Sequence, residues 1–264
     1  MSPKFAISTV HRSTDYWSQT RQPLSCLVFL LPLLVLYEAG VLWLRSESRA
    51  TIRNGADYWM RSWLYQAGFD YVFLLPILVV AILLVWHMWG QYPWNISSDT
   101  LVGMFAESLL FAFGLVVLGQ LQDLIFQQVQ ISVFSMASHA HGEPAVVIAG
   151  RLAVARIISF VGAGVYEEFM FRLCLLPVGY AAFRILLLPE KWAALLAVLS
   201  TSLLFSLAHY IGSSADQFSL FSFTFRAFAG LFFAGLFLIR GFGITVGCHA
   251  FYDVLVGALL ATGR

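Results

Sequence analysis

The sequence predicts an all-α fold, a polytopic membrane helix bundle with roughly seven to eight transmembrane helices. Three observations carry that expectation. Of 264 residues, 60% are hydrophobic and only 11% are charged, against about 25% charged in an ordinary soluble domain. Most of the surface must therefore meet an apolar phase, and a lipid bilayer is the partner that fits. The apolar residues fall in continuous runs of about 20, long enough to cross roughly 30 Å of hydrocarbon. Finally, the runs do not alternate polar with apolar residues, which favours helices over a transmembrane barrel. The expected location is a membrane, crossed several times, and the plasma (inner) membrane if the source is bacterial.

Residues 1–23 read as a polar arm carrying Lys4, Arg12 and Arg21. Residues 24–144 read as the N-terminal transmembrane helices, beginning with Leu24 to Leu44, apolar apart from Ser25 and Glu38. This run is too long for a signal-peptide core and no small-x-small cleavage site follows, so it is expected to be retained. A charged loop then holds Arg45, Arg49, Arg53 and Arg61 against Glu47, Asp57 and Asp70. The next span runs from Tyr71 to Trp89, its end marked by Trp86, Trp89, Tyr92 and Trp94, aromatic residues that suit the headgroup level. A third runs from Leu101 to Phe126 and carries Glu107 and Asp123. Residues 127–144, with His139, His141 and Pro144, form the longest polar connection.

Residues 145–264 read as a helical core. Its first helix starts near Ala145, carries Arg151 and Arg156, and runs to a Glu-Glu pair, with Pro177 closing the region. Apolar segments follow at about 178–188, 192–210, 219–240 and 242–262. The positive-inside rule gives no orientation, because the loop at 45–70 and the N-terminal arm carry similar basic charge. Net charge is +1 with no basic tract, so nucleic acid has no electrostatic hold. Cys26, Cys174 and Cys248 lie in apolar stretches without framework spacing and read as packing residues.

An ionisable side chain at mid-membrane costs about 2.5–3.5 kcal/mol on insertion scales, so each one needs a reason. Three patterns concentrate them: Glu167-Glu168-Phe169-Met170-Phe171-Arg172, then Phe205-Ser206-Leu207-Ala208-His209, then His249-Ala250-Phe251-Tyr252-Asp253. Glu168 and Arg172 share a helix face in the favourable order for an ion pair. Glu167 is turned about 100° from its neighbour and points elsewhere. Phe205 and His209 share a face, as do His249 and Asp253. Lipid would be a costly neighbour for all of them, so the three stripes are expected to converge inside the bundle.

Other ionisable groups have blander readings. Glu38, Glu107 and Asp123 are expected to pair with arginines elsewhere in the bundle. Arg184, Arg226 and Arg240 are expected near helix ends, reaching the interface. His139 and His141 belong to a solvated loop, and Gly243 and Gly247 permit close helix approach.

The three patterns resemble the signature of the CPBP family of membrane proteins, which includes type II CAAX prenyl endopeptidases and bacteriocin-processing enzymes. That signature is Glu-Glu-x-x-x-Arg, Phe-x-x-x-His, and His-x-x-x-Asn or Asp, in this order, and the resemblance covers about residues 145–262. It implies an intramembrane endopeptidase of glutamate-dependent type, acting on a membrane-associated or lipidated peptide, with CAAX-type cleavage near a C-terminus as the best-known case. By the same resemblance Glu167 and His209 hold and activate a water, Glu168 and Arg172 support the site, and His249 and Asp253 stabilise the oxyanion. Two positions depart from the pattern: Leu173 follows the arginine where glycine is common, and Asp253 stands where many members have Asn. An ionised Asp cannot donate to an oxyanion, so Asp253 either stays protonated or orients His249, and the second reading is preferred.

The chemistry needs a water, a base and an oxyanion donor. Glu167 suits the base, His209 can hold the water and pass on its proton, and no Ser or Cys nucleophile is needed. No cofactor is expected; the alternative is zinc, held by Glu167, His209, His249 and Asp253 in a metalloendopeptidase. Two further alternatives are a non-proteolytic membrane binding or immunity protein with the same fold, and a transporter using these residues as a proton relay. The absence of an evident inverted repeat weighs against the last.

Overall fold

The computed structural model of the chain describes residues 15–47, 53–128, 146–212 and 215–260, and every element among them is helical. A short helix α1 (Tyr16–Gln19) leads into α2 (Pro23–Glu47), with Pro23 at the start, where a missing N–H is harmless. Next come α3 (Gly55–Gln66), α4 (Leu74–Trp89) and α5 (Ser98–Gln128). Beyond the polar connection, α6 (Val146–Glu168), a π-helical stretch (Phe169–Leu175) and α7 (Leu176–Ile185) follow one another directly. The chain continues with α8 (Glu190–Ala208), α9 (Leu220–Arg240) and α10 (Phe242–Val254), which runs into a second π-helical stretch (Leu255–Leu260).

Four described helices are long and apolar enough to cross a bilayer: the Pro23–Leu44 part of α2, then α5, α8 and α9; α4 and Phe242–Gly257 are apolar but shorter. Their outward residues are apolar as well, including Val35, Leu36, Val102, Leu110, Leu203 and Leu204. A helix that is hydrophobic on both its inner and outer faces is what a bilayer surrounds. The protein is thus an all-α bundle with the surface of a multi-pass membrane protein.

The bundle is centred on α10, whose residues Phe242 to Ala250 are all buried. It packs on α2, α5, α6 and α9. Small residues make this possible: a Cβ on Gly243 would lie 2.6 Å from Met104 Cε, and one on Gly247 2.5 Å from Ser108 Oγ. Opposite, a Cβ on Gly164 would come within 2.7 Å of the Ala250 backbone nitrogen, so α6 and α10 touch nearly backbone to backbone. The corner between α9 and α10 is Gly241, at φ 91°, a conformation glycine adopts without strain.

Four expectations need correction. The charged loop at 45–70 contains α3, whose N-terminus is capped by Asn54 Oδ1 accepting from the Asp57 backbone N–H at 2.8 Å. Pro177 does not close its region. It falls at the second residue of α7, directly after the π-helical stretch, and the helix continues to Ile185. Arg240 does not reach the interface: it is 2% exposed and gripped by Glu107 through two hydrogen bonds of 2.8 and 2.7 Å. A buried guanidinium gains more from a bidentate carboxylate beside it than from water it cannot reach. Among the described residues Asp123 takes its hydrogen bond from Gln127, one turn along its own helix, rather than from an arginine. Glu38 does pair with arginines, as expected. His139, His141 and Pro144 lie outside the described residues.

Candidate active site

The end of α6 carries Tyr166, Glu167 and Glu168, whose side chains point in three directions. Glu168 is fully buried, its Oε2 3.0 Å from Arg172 Nε one turn on. Its Oε1 accepts from His249 Nδ1 on α10 at 2.7 Å. Arg172 lies in the π-helical stretch, where it donates from Nη2 to the Gly230 carbonyl at 3.1 Å. The Arg172 guanidinium also lies 4.5 Å over the Phe205 ring and 5.5 Å over Phe233. Buried charges survive when they are paired, hydrogen-bonded and lined by aromatic faces. π-helical turns inside helices frequently accompany functional sites, and this one begins directly after the Glu pair.

His249 is held on every side. Phe233 stacks on its ring at 4.5 Å with planes 17° apart, and Phe205 sits edge-on at 5.9 Å. With Nδ1 engaged by Glu168, Nε2 faces Asp253 Oδ2 at 3.5 Å and Glu167 Oε2 at 3.9 Å. The carboxylate one turn along α10 thus addresses the nitrogen that also looks toward Glu167.

His209 caps the C-terminus of α8. Its Nδ1 lies 2.8 Å from the Phe205 carbonyl oxygen. A carbonyl only accepts, so this contact places a proton on Nδ1, and in the neutral ring Nε2 is the acceptor. That Nε2 lies 3.7 Å from Glu167 Oε2. Phe205 packs against both histidines and against Phe171 at 5.2 Å, so it fixes the walls of the site.

Glu167 itself is 13% exposed, and its Oε2 is buried without a hydrogen-bond partner. It faces two imidazole nitrogens from two other helices at separations too long for direct hydrogen bonds and suited to one shared water. All seven residues singled out in the sequence, Glu167, Glu168, Arg172, Phe205, His209, His249 and Asp253, therefore meet around one point. Cys248 is fully buried and serves as packing.

Among the described residues no three His, Cys, Asp or Glu side chains are arranged to hold a metal ion. Nδ1 of His249 is held by Glu168, and its Nε2 faces Glu167 and Asp253. A cavity of about 170 Å³ lies elsewhere, lined by Arg53, Arg61, Tyr65 and Tyr71 rather than by the histidines.

Sequence reasoning passed over Phe233, Gly230 and Tyr166. Phe233 and Gly230 act through tertiary contacts that no local pattern announces. Tyr166 had one signal, a hydroxyl immediately before the Glu pair in an otherwise apolar turn.

Residues 149–255 match the family model described as type II CAAX prenyl endopeptidase Rce1-like, and the match supports membership of the CAAX protease family. No curated protein and no solved structure matches the chain.

Proposed function

From the premise that residues 149–255 belong to the type II CAAX prenyl endopeptidase family, we propose that the chain hydrolyses a peptide bond of a membrane-associated substrate with a water held by Glu167 and His209. The observation that carries this reading is Glu167 Oε2: buried, unpartnered, and within 4 Å of Nε2 of both His209 and His249.

Water bound between Glu167 and His209 gives a proton to the Glu167 carboxylate as its oxygen attacks the carbonyl carbon of the scissile bond. The C=O electron pair moves to oxygen, and the oxyanion meets the Nε2–H of His249, whose Nδ1 proton stays with Glu168. Asp253 holds Nε2–H in line until the substrate oxygen replaces it, so it orients the donor rather than touching the oxyanion. When the tetrahedral intermediate collapses, the C–N bond breaks and the amine takes the proton from Glu167 by way of His209 Nε2. The products are a carboxylic acid and an amine, which part as carboxylate and ammonium when the acid's proton passes to the amine, with Glu167 ionised again. An oxyanion contact in such a dry site is worth about 3–4 kcal/mol, and positioned general base catalysis about 10²–10⁴-fold.

The substrate reading is a peptide tethered to the membrane, with cleavage near a C-terminus as the CAAX name of the family suggests. Purified protein in detergent or liposomes is given a panel of membrane-tethered fluorogenic peptides, prenylated and unprenylated. Glu167→Gln and His209→Ala should each abolish cleavage while leaving expression and melting unchanged. Normal cleavage by both variants would sink the proposal. A wild type that cleaves nothing in the panel but binds a membrane peptide would shift the reading to a non-proteolytic binding protein.

A further inference from the structure

We infer that Tyr166 is a positioning residue for Glu167, and that helices α2 and α3, which lie outside the family match, hold it in place through a cluster of four paired charges. The Tyr166 hydroxyl donates to Glu38 Oε1 on α2. The same oxygen accepts from Arg61 Nη2 on α3 at 2.7 Å. Arg61 Nε also reaches Asp57 Oδ1 at 2.5 Å, and Arg53 Nη1 reaches Asp57 Oδ2 at 2.6 Å. Tyr37 donates to Asp57 Oδ2 at 2.7 Å and meets the Tyr166 ring edge-on at 5.3 Å. Both tyrosines are wholly buried.

The two residues that flank Glu167 thus fix the rotation of one helical turn. Tyr166 is tied to α2 and α3, Glu168 is tied to α10 and Arg172, and Glu167 lies between them. Close packing reinforces the tie, since a Cβ on Gly162 would collide with the Tyr37 ring. The cluster contains two carboxylates and two guanidiniums, so it contributes no net charge at Glu167. Its influence is therefore geometric. A base displaced by about 1 Å from its water can lose on the order of 10²-fold in rate.

The inference deepens the protease reading, and its test separates the two. Tyr166→Phe removes one hydroxyl and no charge. In the cleavage assay it should lower kcat at least tenfold with KM within twofold and an unshifted pH profile. Glu38→Gln, which keeps an acceptor for Tyr166 but weakens the tie to Arg61, should fall between Tyr166→Phe and wild type. A second readout needs no substrate: the rate at which dicyclohexylcarbodiimide, an apolar carboxyl reagent, labels Glu167, mapped by peptide mass spectrometry. Tyr166→Phe should change that rate severalfold, and Glu38→Gln should change it less. If Tyr166→Phe only lowers the melting temperature, with kcat and labelling of Glu167 unchanged, the hydroxyl is a packing bond and the inference falls. A wild type without protease activity whose Glu167 labelling still responds to Tyr166→Phe would overturn the protease reading and support the positioning one.

Discussion

Two partly buried carboxylates toward opposite ends of α9 meet their partners in opposite ways. Beside Arg240 at its C-terminus, Glu107 uses both oxygens on one guanidinium at 2.7 and 2.8 Å, and Trp17 covers that guanidinium at 3.7 Å. On the side where α9 begins and α8 ends, Glu167 has one oxygen with no hydrogen bond and two imidazoles held at 3.7 and 3.9 Å. In the first pair both carboxylate oxygens are in direct contact with the guanidinium, although its Nη1 is left without a hydrogen-bond partner among the described residues. The second is held apart by supports outside it: Phe205, Phe233, Glu168 and Arg172 lock the histidines, which cannot relax onto the carboxylate. A membrane bundle joins helices through ion pairs in direct contact, and a set of groups held apart is where a reactant fits.

The sharpest way to break this contrast is Glu167→Gln, which should lower kcat by about 10³-fold or more while the protein melts as wild type. Cleavage kinetics beside a thermal unfolding curve checks it. Arg172→Met comes next. It leaves Glu168 buried without its countercharge, which should cost about 3–5 kcal/mol of stability, read as loss of monodisperse protein in detergent or a much lower melting temperature. Glu107→Gln should be milder, about 1–3 kcal/mol, with kcat within twofold. Loss of catalysis in a well-folded Glu107→Gln would show that the two ends are not separate. The smallest expected effect is that of a strong chelator: cleavage should persist within twofold after dialysis, and activity lost to the chelator and restored by zinc would overturn the water-and-carboxylate mechanism.

The reactive end was more legible in the sequence than the paired one. Glu167 to Arg172, Phe205 to His209 and His249 to Asp253 are each within a turn or so of helix, so helical spacing alone assigns their shared faces, and the cost of lipid exposure drives them together. Glu107 and Arg240 lie 133 residues apart, and nothing local to either reveals the other. Helix α3 was partly legible: Asn54 is a cap residue, Asp57 and Arg61 are one turn apart, and Ala56, Met60 and Leu64 repeat every fourth residue. The density of charge hid that pattern, because it suggests solvent rather than mutual pairing. In fact burial opposes charge on Arg53, yet Asp57 and then Glu38 outweigh it and hold the guanidinium above its ordinary range. The position of His209 at a helix end, with Phe205 as its proton acceptor, also needed coordinates, since a carbonyl leaves no mark on a sequence.

The π-helical stretch from Phe169 to Leu175 has an effect at a distance. Such a turn holds a residue more than α-helical winding requires, and each residue is worth about 100° of rotation. Glu168, just before it, and Arg172, within it, keep their partnership, while α7 from Leu176 onward is presented to α8 on a rotated face. Shortening this stretch by one residue would therefore leave the Glu pair where it stands and swing α7 off its partner helix. In this molecule the winding number of seven residues decides how the far half of a helix is aimed.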